Sequence, residues 1–241
     1  MQSDNSRLDQ LINNRNDILK LIREASISAN RDFENIDLVT VTKYADTNDV
    51  ALLLENNLIT NAGENKVQDA RAKWHTGGPL NSFRKNIQLH LIGHLQHNKV
   101  KTAVEVFDWI DSIDSLRTAE AVDRHAAEAG KTVPCLIQLK LTDRDTQSGI
   151  RIEEAPELLR NMRQMNNIAA CGYMGIAPEG ASSEELTKLF KNVRAVFDRD
   201  FKGSRHQKGF RYYLSLGMSG DFKEAVACGA TLPRIGSLSF K

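Results

Sequence analysis

The sequence predicts an α/β fold, a single (β/α)8 barrel of the TIM type with an extra helix at its N-terminus. Three observations predict it. Eight short apolar segments, rich in β-branched residues, alternate with seven amphipathic segments. Strands that alternate with helices pair in parallel through right-handed crossovers, and eight such units close a barrel. The 241 residues suit one domain of this kind, with residues 5–29 as the N-terminal helix and 38–237 as the barrel.

Each element has its own signal. Leu11, Ile18 and Ile22 have the spacing of an amphipathic helix in the first segment. Ser115 can cap the start of a later helix, and Pro156 suits the first turn of another. The predicted strands cover residues 38–42, 58–61, 88–92, 109–113, 133–139, 168–174, 211–214 and 231–235. The helices between them begin with one capped by Asp46 or Thr47 and continue with 64–74, 97–106, 115–129, 153–165, 182–201 and 221–228. No helix follows the last strand, so we expect the N-terminal helix to cover that face.

An open doubly wound sheet is the alternative arrangement of the same elements. Such a sheet usually carries a Gly-rich nucleotide-binding turn after its first strand. Here that turn, residues 42–48, reads TKYADTN and contains no glycine. The barrel is therefore the favoured interpretation.

Composition argues against several classes of function. The chain is 41% hydrophobic and 26% charged, which is ordinary for a globular protein. A formal net charge of +1 leaves no basic excess to neutralise nucleic acid, and no apolar run reaches the roughly eighteen residues of a membrane span. The N-terminus lacks the apolar core of a signal peptide, and Cys135, Cys171 and Cys228 form no C-x-x-C pair. These features predict reduced thiols in a cytoplasmic protein.

Two turns at one face of the predicted barrel could bind an anion. The loops after the strands of a barrel share one face, where active sites lie. Residues 215–221, SLGMSGD, follow strand seven, and Gly236-Ser237 follows strand eight. Glycine-rich turns present free backbone N–H groups, and a helix start adds its positive end, although ordinary tight turns have the same sequence pattern. Gly217 and Gly220 let the backbone approach an anion closely, Ser219 can add a hydroxyl, and Gly236-Ser237 is a second such turn beside Arg234. Ser215 and Met218 are the other candidate residues of the loop after strand seven.

Lys43 comes directly after the first predicted strand. Such a lysine most often caps a strand and points into water. Barrel closure, however, brings strand one beside strand eight, so Lys43 would lie next to the two turns. A lysine beside an anion-binding turn suggests a Schiff base to a phosphorylated aldehyde, with pyridoxal 5′-phosphate as the leading candidate.

Other residues at this face give weaker signals. We expect Glu64 and Asn65 to follow strand two and His94 to follow strand three. His90, His94 and His97 are close in sequence, but neither a cysteine nor a carboxylate completes a tetrahedral zinc set. The three cysteines fall within strands or late in a helix, where packing roles dominate.

Several segments together resemble the YggS/PROSC family of pyridoxal phosphate homeostasis proteins. They run in family order from about residue 38 to 237 and read VTVTKYAD, NAGENKVQDARAKW, LHLIGHLQHNKVK, IDSIDSLRTAEAVDR, LIQLKLTDRDTQSGI, CGYMGIAPE, LSLGMSGDFKEAVACGAT and RIGS. GENxVQ, IGHLQxNK and GMSGDFxxA are specific as a set. The resemblance implies a barrel like the N-terminal domain of alanine racemase.

The resemblance also implies roles for site residues. Lys43 would hold pyridoxal 5′-phosphate as an internal aldimine, and Asn65 falls at the family's position near the cofactor. The residues implied on the phosphate side are Ser219 with its neighbours, Arg234, Gly236 and Ser237. The sequence departs from the family after the last strand, where it reads SLSFK, and before SGI, where it reads LTDRDTQ. We therefore expect the covering of strand eight and the rim beside the SGI segment to differ.

Two classes of function compete: a carrier that holds and delivers the cofactor, and an amino-acid racemase or related enzyme. Racemisation needs an acid/base group on each face of the substrate α-carbon. Lys43 can serve one face, but barrel racemases take the second, a tyrosine, from a separate β-domain of a partner subunit, whereas this sequence ends at the barrel. Only Tyr44 and Tyr173 are expected near the site. We favour a monomeric carrier in intracellular pyridoxal phosphate homeostasis, with apo-enzymes as recipients; an interaction protein on the same barrel is a third class.

Overall fold

The computed structural model describes residues 2–142 and 147–241, and within them eight parallel strands form one sheet in the order β7-β6-β5-β4-β3-β2-β1-β8. The strands are β1 (Val39–Val41), β2 (Asn61–Glu64), β3 (Gln88–Leu91), β4 (Trp109–Ile113), β5 (Val133–Leu139), β6 (Ile168–Gly175), β7 (Tyr213–Ser215) and β8 (Arg234–Ile235). The helices are α1 (Gln2–Ser28), α2 (Thr47–Glu55), α3 (Val67–Trp74), α4 (Val100–Val106), α5 (Leu116–Glu128), α6 (Ala155–Gln164), α7 (Ser183–Phe201) and α8 (Phe222–Ala227). This consecutive order confirms the predicted barrel.

The barrel closes between its first and last strands. β1 and β8 pair in parallel, with Val39 opposite Arg234. Between β7 and β8 the contact is irregular: Leu214 O accepts the N–H of Thr231 at 2.9 Å, and Gly217 O accepts that of Arg234 at 2.9 Å. The barrel is thus nearly closed, and the loops after β1, β7 and β8 meet at one edge.

Helix α1 covers the face beside β8, as the sequence predicts. Its buried residues Ile18 and Ile22 pack in one cluster with Phe222 and Val226 of α8 and with Ile235 of β8. Amphipathic helices gain most of their stability from such burial of one face. α1 therefore occupies the place of a helix after the last strand.

Three strand assignments made from sequence are wrong by two residues or more at a boundary. β2 is displaced from the predicted residues 58–61 to Asn61–Glu64. The N–H of Leu58 instead caps α2 by donating to Leu53 O at 2.8 Å. β7 comes two residues later than its predicted start, and β8 has only two residues where five were expected. Apolar content located these strands imprecisely because some apolar residues pack in the connecting loops.

The barrel interior away from the loops after the strands is filled with side chains. Trp109, Leu136, Cys171 and Met174 belong to one buried cluster inside the sheet, and a larger cluster lies between the sheet and the helices. The three cysteines are free, and burial raises the pKa of Cys171 to about 12, which suits a packing role. Among the helices of the described residues, none combines the length and apolarity that crossing a bilayer would demand.

Candidate functional site

A cavity of about 1090 Å³ opens at the carboxyl ends of the strands. This volume is slightly above the range of about 300–1,000 Å³ that is usual for small-molecule sites. Seven of the eight predicted site residues line it: Lys43, Asn65, Met218, Ser219, Arg234, Gly236 and Ser237. The face predicted from barrel topology therefore holds this cavity.

Lys43 lies in a tight turn at the end of β1. The turn is closed by a hydrogen bond from the Ala45 N–H to Thr42 O at 3.2 Å. The Lys43 Nζ lies 5.0 Å from the centroid of the Tyr44 ring, and Tyr44 is 88% exposed at the mouth of the cavity. Pairing of β1 with β8 brings this turn beside Gly236, as barrel closure predicts.

The turn after β7 is built around Met218 and Asp221. Met218 O accepts the N–H groups of Asp221 at 3.1 Å and Phe222 at 2.9 Å, while Asp221 Oδ1 accepts the Met218 N–H at 2.6 Å. Gly217 has φ +90°, and a Cβ there would lie 2.7 Å from Phe222 Cα, so only glycine fits. These bonds fold the turn so that its next two residues face the cavity.

Among the cavity-lining residues of the two turns, four have backbone N–H groups with no acceptor within the described chain: Ser219, Gly220, Gly236 and Ser237. All four residues line the cavity. Convergent free N–H groups form an anion site. α8 has only six residues, so these turn amides, rather than the helix dipole invoked from sequence, are the main attraction for an anion.

Arg234 lies below these turns and is 3% exposed. Its guanidinium donates to Ser215 O at 2.8 Å, Ser215 Oγ at 2.7 Å and Gly175 O at 2.9 Å. Burial lowers the pKa of Arg234 to about 10, so the group stays charged at neutral pH. Ser215, the eighth predicted site residue, does not line the cavity; it lies behind Arg234 and holds it.

Asn65 lines the cavity next to Gly93. A Cβ at Gly93 would lie 2.2 Å from Asn65 O, so glycine is required for these two loops to touch. Glu64, expected in the loop, instead ends β2 and is fully buried. Its Oε1 accepts hydrogen bonds from the Thr42 hydroxyl at 2.8 Å and the Lys73 ammonium at 3.1 Å, so it supports the site from behind.

The cavity wall formed by β5, β6 and the loops after them contains two glutamines, Gln138 and Gln147, that the sequence analysis did not identify. Gln138 lines the cavity and is 4% exposed; its Nε2 donates to Ser148 O at 2.8 Å, while its Oε1 has no partner in the described chain. Gln147 joins the two loops by donating to Ile176 O at 2.7 Å. A glutamine within the apolar run LIQL was the available signal. Residues 143–146 of the unusual LTDRDTQ stretch lie outside the described residues.

Tyr173 was wrongly expected near the site. Its side chain points out of the barrel toward α7, where its hydroxyl donates to Asp200 Oδ2 at 2.6 Å and its ring packs on Phe201. Burial raises the pKa of Tyr173 above its usual range, so its proton is held firmly. Side chains alternate between the two faces of a strand, and Tyr173 falls on the outer face.

His90 and His94 each pair with a different aspartate and lie in different places. His94 lines the cavity, with Nδ1 3.1 Å from Asp114 Oδ2. His90 is buried inside the barrel, with Nδ1 3.1 Å from Asp111 Oδ2. Across the described residues, no group of three His, Cys, Asp or Glu side chains could hold a metal ion.

Comparison with known proteins gives consistent matches. The family model described as "Alanine racemase, N-terminal domain" matches residues 34–241. The pyridoxal phosphate homeostasis protein of Synechocystis sp. is 34% identical over 209 residues, covering 86% of this chain and 91% of that protein. PipY of Synechococcus elongatus, solved with PLP bound, matches with TM-score 0.71 and 32% identity over 86% of this chain and 93% of its own. An unknown protein from Bifidobacterium adolescentis matches with TM-score 0.88 and 26% identity, covering 98% and 96%.

Proposed function

Because the chain belongs to the YggS/PROSC family of pyridoxal phosphate homeostasis proteins, we propose that it binds pyridoxal 5′-phosphate through Lys43 and delivers it to other proteins. One observation carries the proposal: Lys43 shares a cavity with four backbone N–H groups that have no acceptor in the described chain. A primary amine beside an anion cradle fits a phosphorylated aldehyde.

Different residues of the cavity would bind the phosphate and the aldehyde of such a ligand. The N–H groups of Ser219, Gly220, Gly236 and Ser237 would hold the phosphate, and the anchored positive charge of Arg234 would favour an anionic ligand. When bound, pyridoxal phosphate supplies an aldehyde that condenses with a primary amine with loss of water. The Lys43 amine is the nucleophile for that condensation in our proposal.

Asn65 and Met218 complete the set of cavity residues to which we assign binding. Asn65 can donate or accept a hydrogen bond at the β2 side. Met218, 40% exposed, offers an adaptable apolar surface at the rim. Ser215 contributes through Arg234, whose guanidinium it holds.

The test is reduction of the loaded protein with borohydride, followed by peptide mapping. We expect the reduced adduct on Lys43, and Lys43→Ala should lose the Schiff-base absorbance while keeping its circular dichroism spectrum. Lys99→Ala, in the loop after β3 and outside the cavity lining, is the control and should keep the absorbance. An adduct on another lysine, or an unchanged spectrum of Lys43→Ala, would overturn the assignment.

We further propose that the chain acts as a single domain, as a monomer, in the cytoplasm. The single sheet supports one domain. Large exposed apolar side chains in the described chain are few, which supports a monomer. Tyr44 and Met218 belong to the cavity, and the other two are Ile27 and Leu116. Free cysteines suit a reducing compartment. Sedimentation equilibrium tests the monomer, and a mass of two chains would contradict it.

Apo-enzymes that depend on pyridoxal phosphate are the proposed recipients. Mixing loaded protein with such an apo-enzyme should restore its activity, and free cofactor at the same concentration is the comparison. Failure to restore activity while the cofactor stays on Lys43 would argue for storage without delivery.

A further inference from the structure

We propose that Lys73 is a positioning residue that fixes the turn carrying Lys43. Lys73 lies in the last turn of α3. Its ammonium donates to Thr42 O at 2.8 Å, Lys43 O at 3.4 Å and Glu64 Oε1 at 3.1 Å. One side chain thus binds the two backbone carbonyls that flank the Lys43 Cα, those of Thr42 and Lys43. Hydrogen bonds from a charged donor are among the stronger ones in proteins.

Glu64 completes the clamp. It is fully buried, and Lys73 is largely buried with 17% of its side chain exposed. The same Oε1 that accepts from Lys73 also accepts from the Thr42 hydroxyl at 2.8 Å and the Trp74 indole N–H at 3.3 Å. The pair therefore ties the ends of β1 and β2 to α3, and each charge offsets the other in a place with little water.

The clamp acts on the turn through a shared acceptor. Thr42 O accepts both the Lys73 ammonium and the Ala45 N–H that closes the turn. Without Lys73, two carbonyls lose a charged donor and the turn opens more often. The Lys43 amine then spends less time directed at the cavity, although no cavity-lining atom has changed.

The variants separate this role from general stability. Lys73→Met alone would leave the buried Glu64 charge unpaired, which is strongly destabilising. The informative variant is therefore the double change Glu64→Gln with Lys73→Met, in which the glutamine Oε1 can still accept from Thr42 and Trp74. Glu64→Gln alone keeps the lysine donors and costs less, because the Lys73 charge that it leaves unpaired is 17% exposed and reaches water, whereas Glu64 is fully buried. Lys208→Met is the matched control, because Lys208 also donates to backbone carbonyls, those of Met165, Asn166 and Ile168, outside the cavity lining.

Two readouts need no cofactor. The first is hydrogen exchange of the Ala45 amide, which should be at least about tenfold faster in the double variant, the loss expected for one charge-assisted hydrogen bond. The second is the acetylation rate of Lys43, mapped by peptide, which should change in the double variant and stay near wild type in Glu64→Gln and Lys208→Met. Wild-type exchange and labelling in the double variant, or equal changes in Lys208→Met, would overturn the proposal.

The third readout rests on the proposed function. The double variant should trap less pyridoxal phosphate on Lys43 with borohydride than wild type does, by about tenfold at limiting cofactor. If wild-type protein forms no Lys43 adduct, the proposed function fails, while exchange and labelling still decide the role of Lys73. If the adduct forms equally in wild type and the double variant, the positioning role is wrong and the proposed function stands.

Discussion

The charged side chains that line the cavity are anchored to different degrees. Arg234 is held by three hydrogen bonds to Ser215 and Gly175, and its charge is fixed. Asp221 is tied to the turn after β7 by the Met218 N–H. Within the described residues, the Lys43 amine lies over the exposed Tyr44 ring and makes no hydrogen bond. The reactive amine of Lys43 is thus less anchored than the Arg234 guanidinium and the Asp221 carboxyl.

Asp221 opposes anion binding at the turn, and its removal should tighten binding. Its carboxyl lines the cavity two residues from Ser219, and burial raises its pKa above the usual range. Asp221→Asn keeps an Oδ1 acceptor for Met218 and removes the negative charge. We expect binding of pyridoxamine 5′-phosphate, which has no aldehyde, to tighten about fivefold at neutral pH, from roughly 1 kcal/mol of relieved repulsion.

The affinity difference between wild type and Asp221→Asn should depend on pH. Below the raised pKa of Asp221 the wild-type carboxyl is neutral, so the difference between wild type and Asp221→Asn should vanish. It should grow as pH rises through that pKa. Calorimetric titration at several pH values measures it, and Glu179→Gln, at the rim of the same cavity, controls for a general charge effect. Equal affinities of wild type and Asp221→Asn at every pH would contradict the prediction.

At the residue scale, the sequence predicts loop residues better than strand-end residues. Lys43, Gly236 and Ser237 line the cavity because every residue that follows a barrel strand lies at one face. Glu64 and Tyr173 were misassigned because a shift of one residue in a strand moves a side chain to the other face. The sequence pattern does not locate strand ends to within one residue.

The turn after β8 depends on a missing side chain. A Cβ at Gly236 would lie 3.2 Å from the Val41 Cβ and 3.4 Å from Val41 O. Gly236→Val should therefore push this turn away from β1 and disturb its free N–H groups, and retention of pyridoxal phosphate should fall by about tenfold or more, as for loss of a charge-assisted hydrogen bond. Gly236→Ala should show a smaller loss. Dialysis of the loaded variants measures retention, and equal retention by Gly236→Val and wild type would argue against the cradle.

The packing of α1 on α8 should matter for stability. Ile22 is 1% exposed in the cluster with Phe222 and Val226. Ile22→Ala should lower the free energy of unfolding by about 2–5 kcal/mol, the usual cost of such a truncation in a packed core. Ile27→Ala, on the same helix at a residue that is 62% exposed, should change it by less than about 0.5 kcal/mol. Urea unfolding measures both, and equal effects would show that the interface contributes little.

Element boundaries follow the strength of the local signal. β4 and β5 match the predicted residues 109–113 and 133–139 because apolar residues dominate each segment and a clear helical pattern precedes it. β2 has the sequence NAGE, which carries no strand signal of its own. Its pairing with β1 and β3 creates that strand, so tertiary structure overrides propensity there.

At the scale of the whole molecule, counting strands was enough to locate the site. Closure makes β1 and β8 neighbours whatever their side chains are. Topology alone therefore predicted that Lys43 lies near the segment that begins at Pro233, 190 positions later in the sequence. The opposite wall could not be predicted. Every residue of β5 is buried, so the sequence pattern does not tell that Gln138 faces the cavity while its neighbours face the helices.

The titratable side chains that line the cavity decide between carrier and racemase. Within the described chain, besides Lys43, they are Tyr44, His94, Glu179, Asp221 and Arg234. Tyr44 is the immediate neighbour of Lys43 and largely exposed, and His94 is paired with Asp114 in a half-exposed position. Asp221 accepts the Met218 N–H within the turn after β7, and Arg234 donates to Gly175 of β6 and Ser215 of β7. Glu179 is exposed, and Arg234, the one buried group of the set, already donates to Ser215 and Gly175. The set therefore holds no buried, firmly oriented proton donor that is free to work opposite Lys43.

We therefore predict that the loaded protein does not turn over amino acids. One well-placed acid/base group is commonly worth about 10²–10⁴ in rate, so a site with Lys43 alone can exchange an α-proton slowly but should not racemise at an enzyme-like rate. Incubation with single-enantiomer amino acids, followed by chiral chromatography and an assay for lost amino groups, tests this, with Lys43→Ala as the blank. Solvent deuterium entering the α-position with retained configuration would fit one face of attack. Racemisation of many molecules per protein per minute would contradict the carrier hypothesis and point to a second base. The first variant to make is then His94→Ala, with its Asp114 partner left in place, because His94 is the one imidazole among the cavity-lining residues of the described chain.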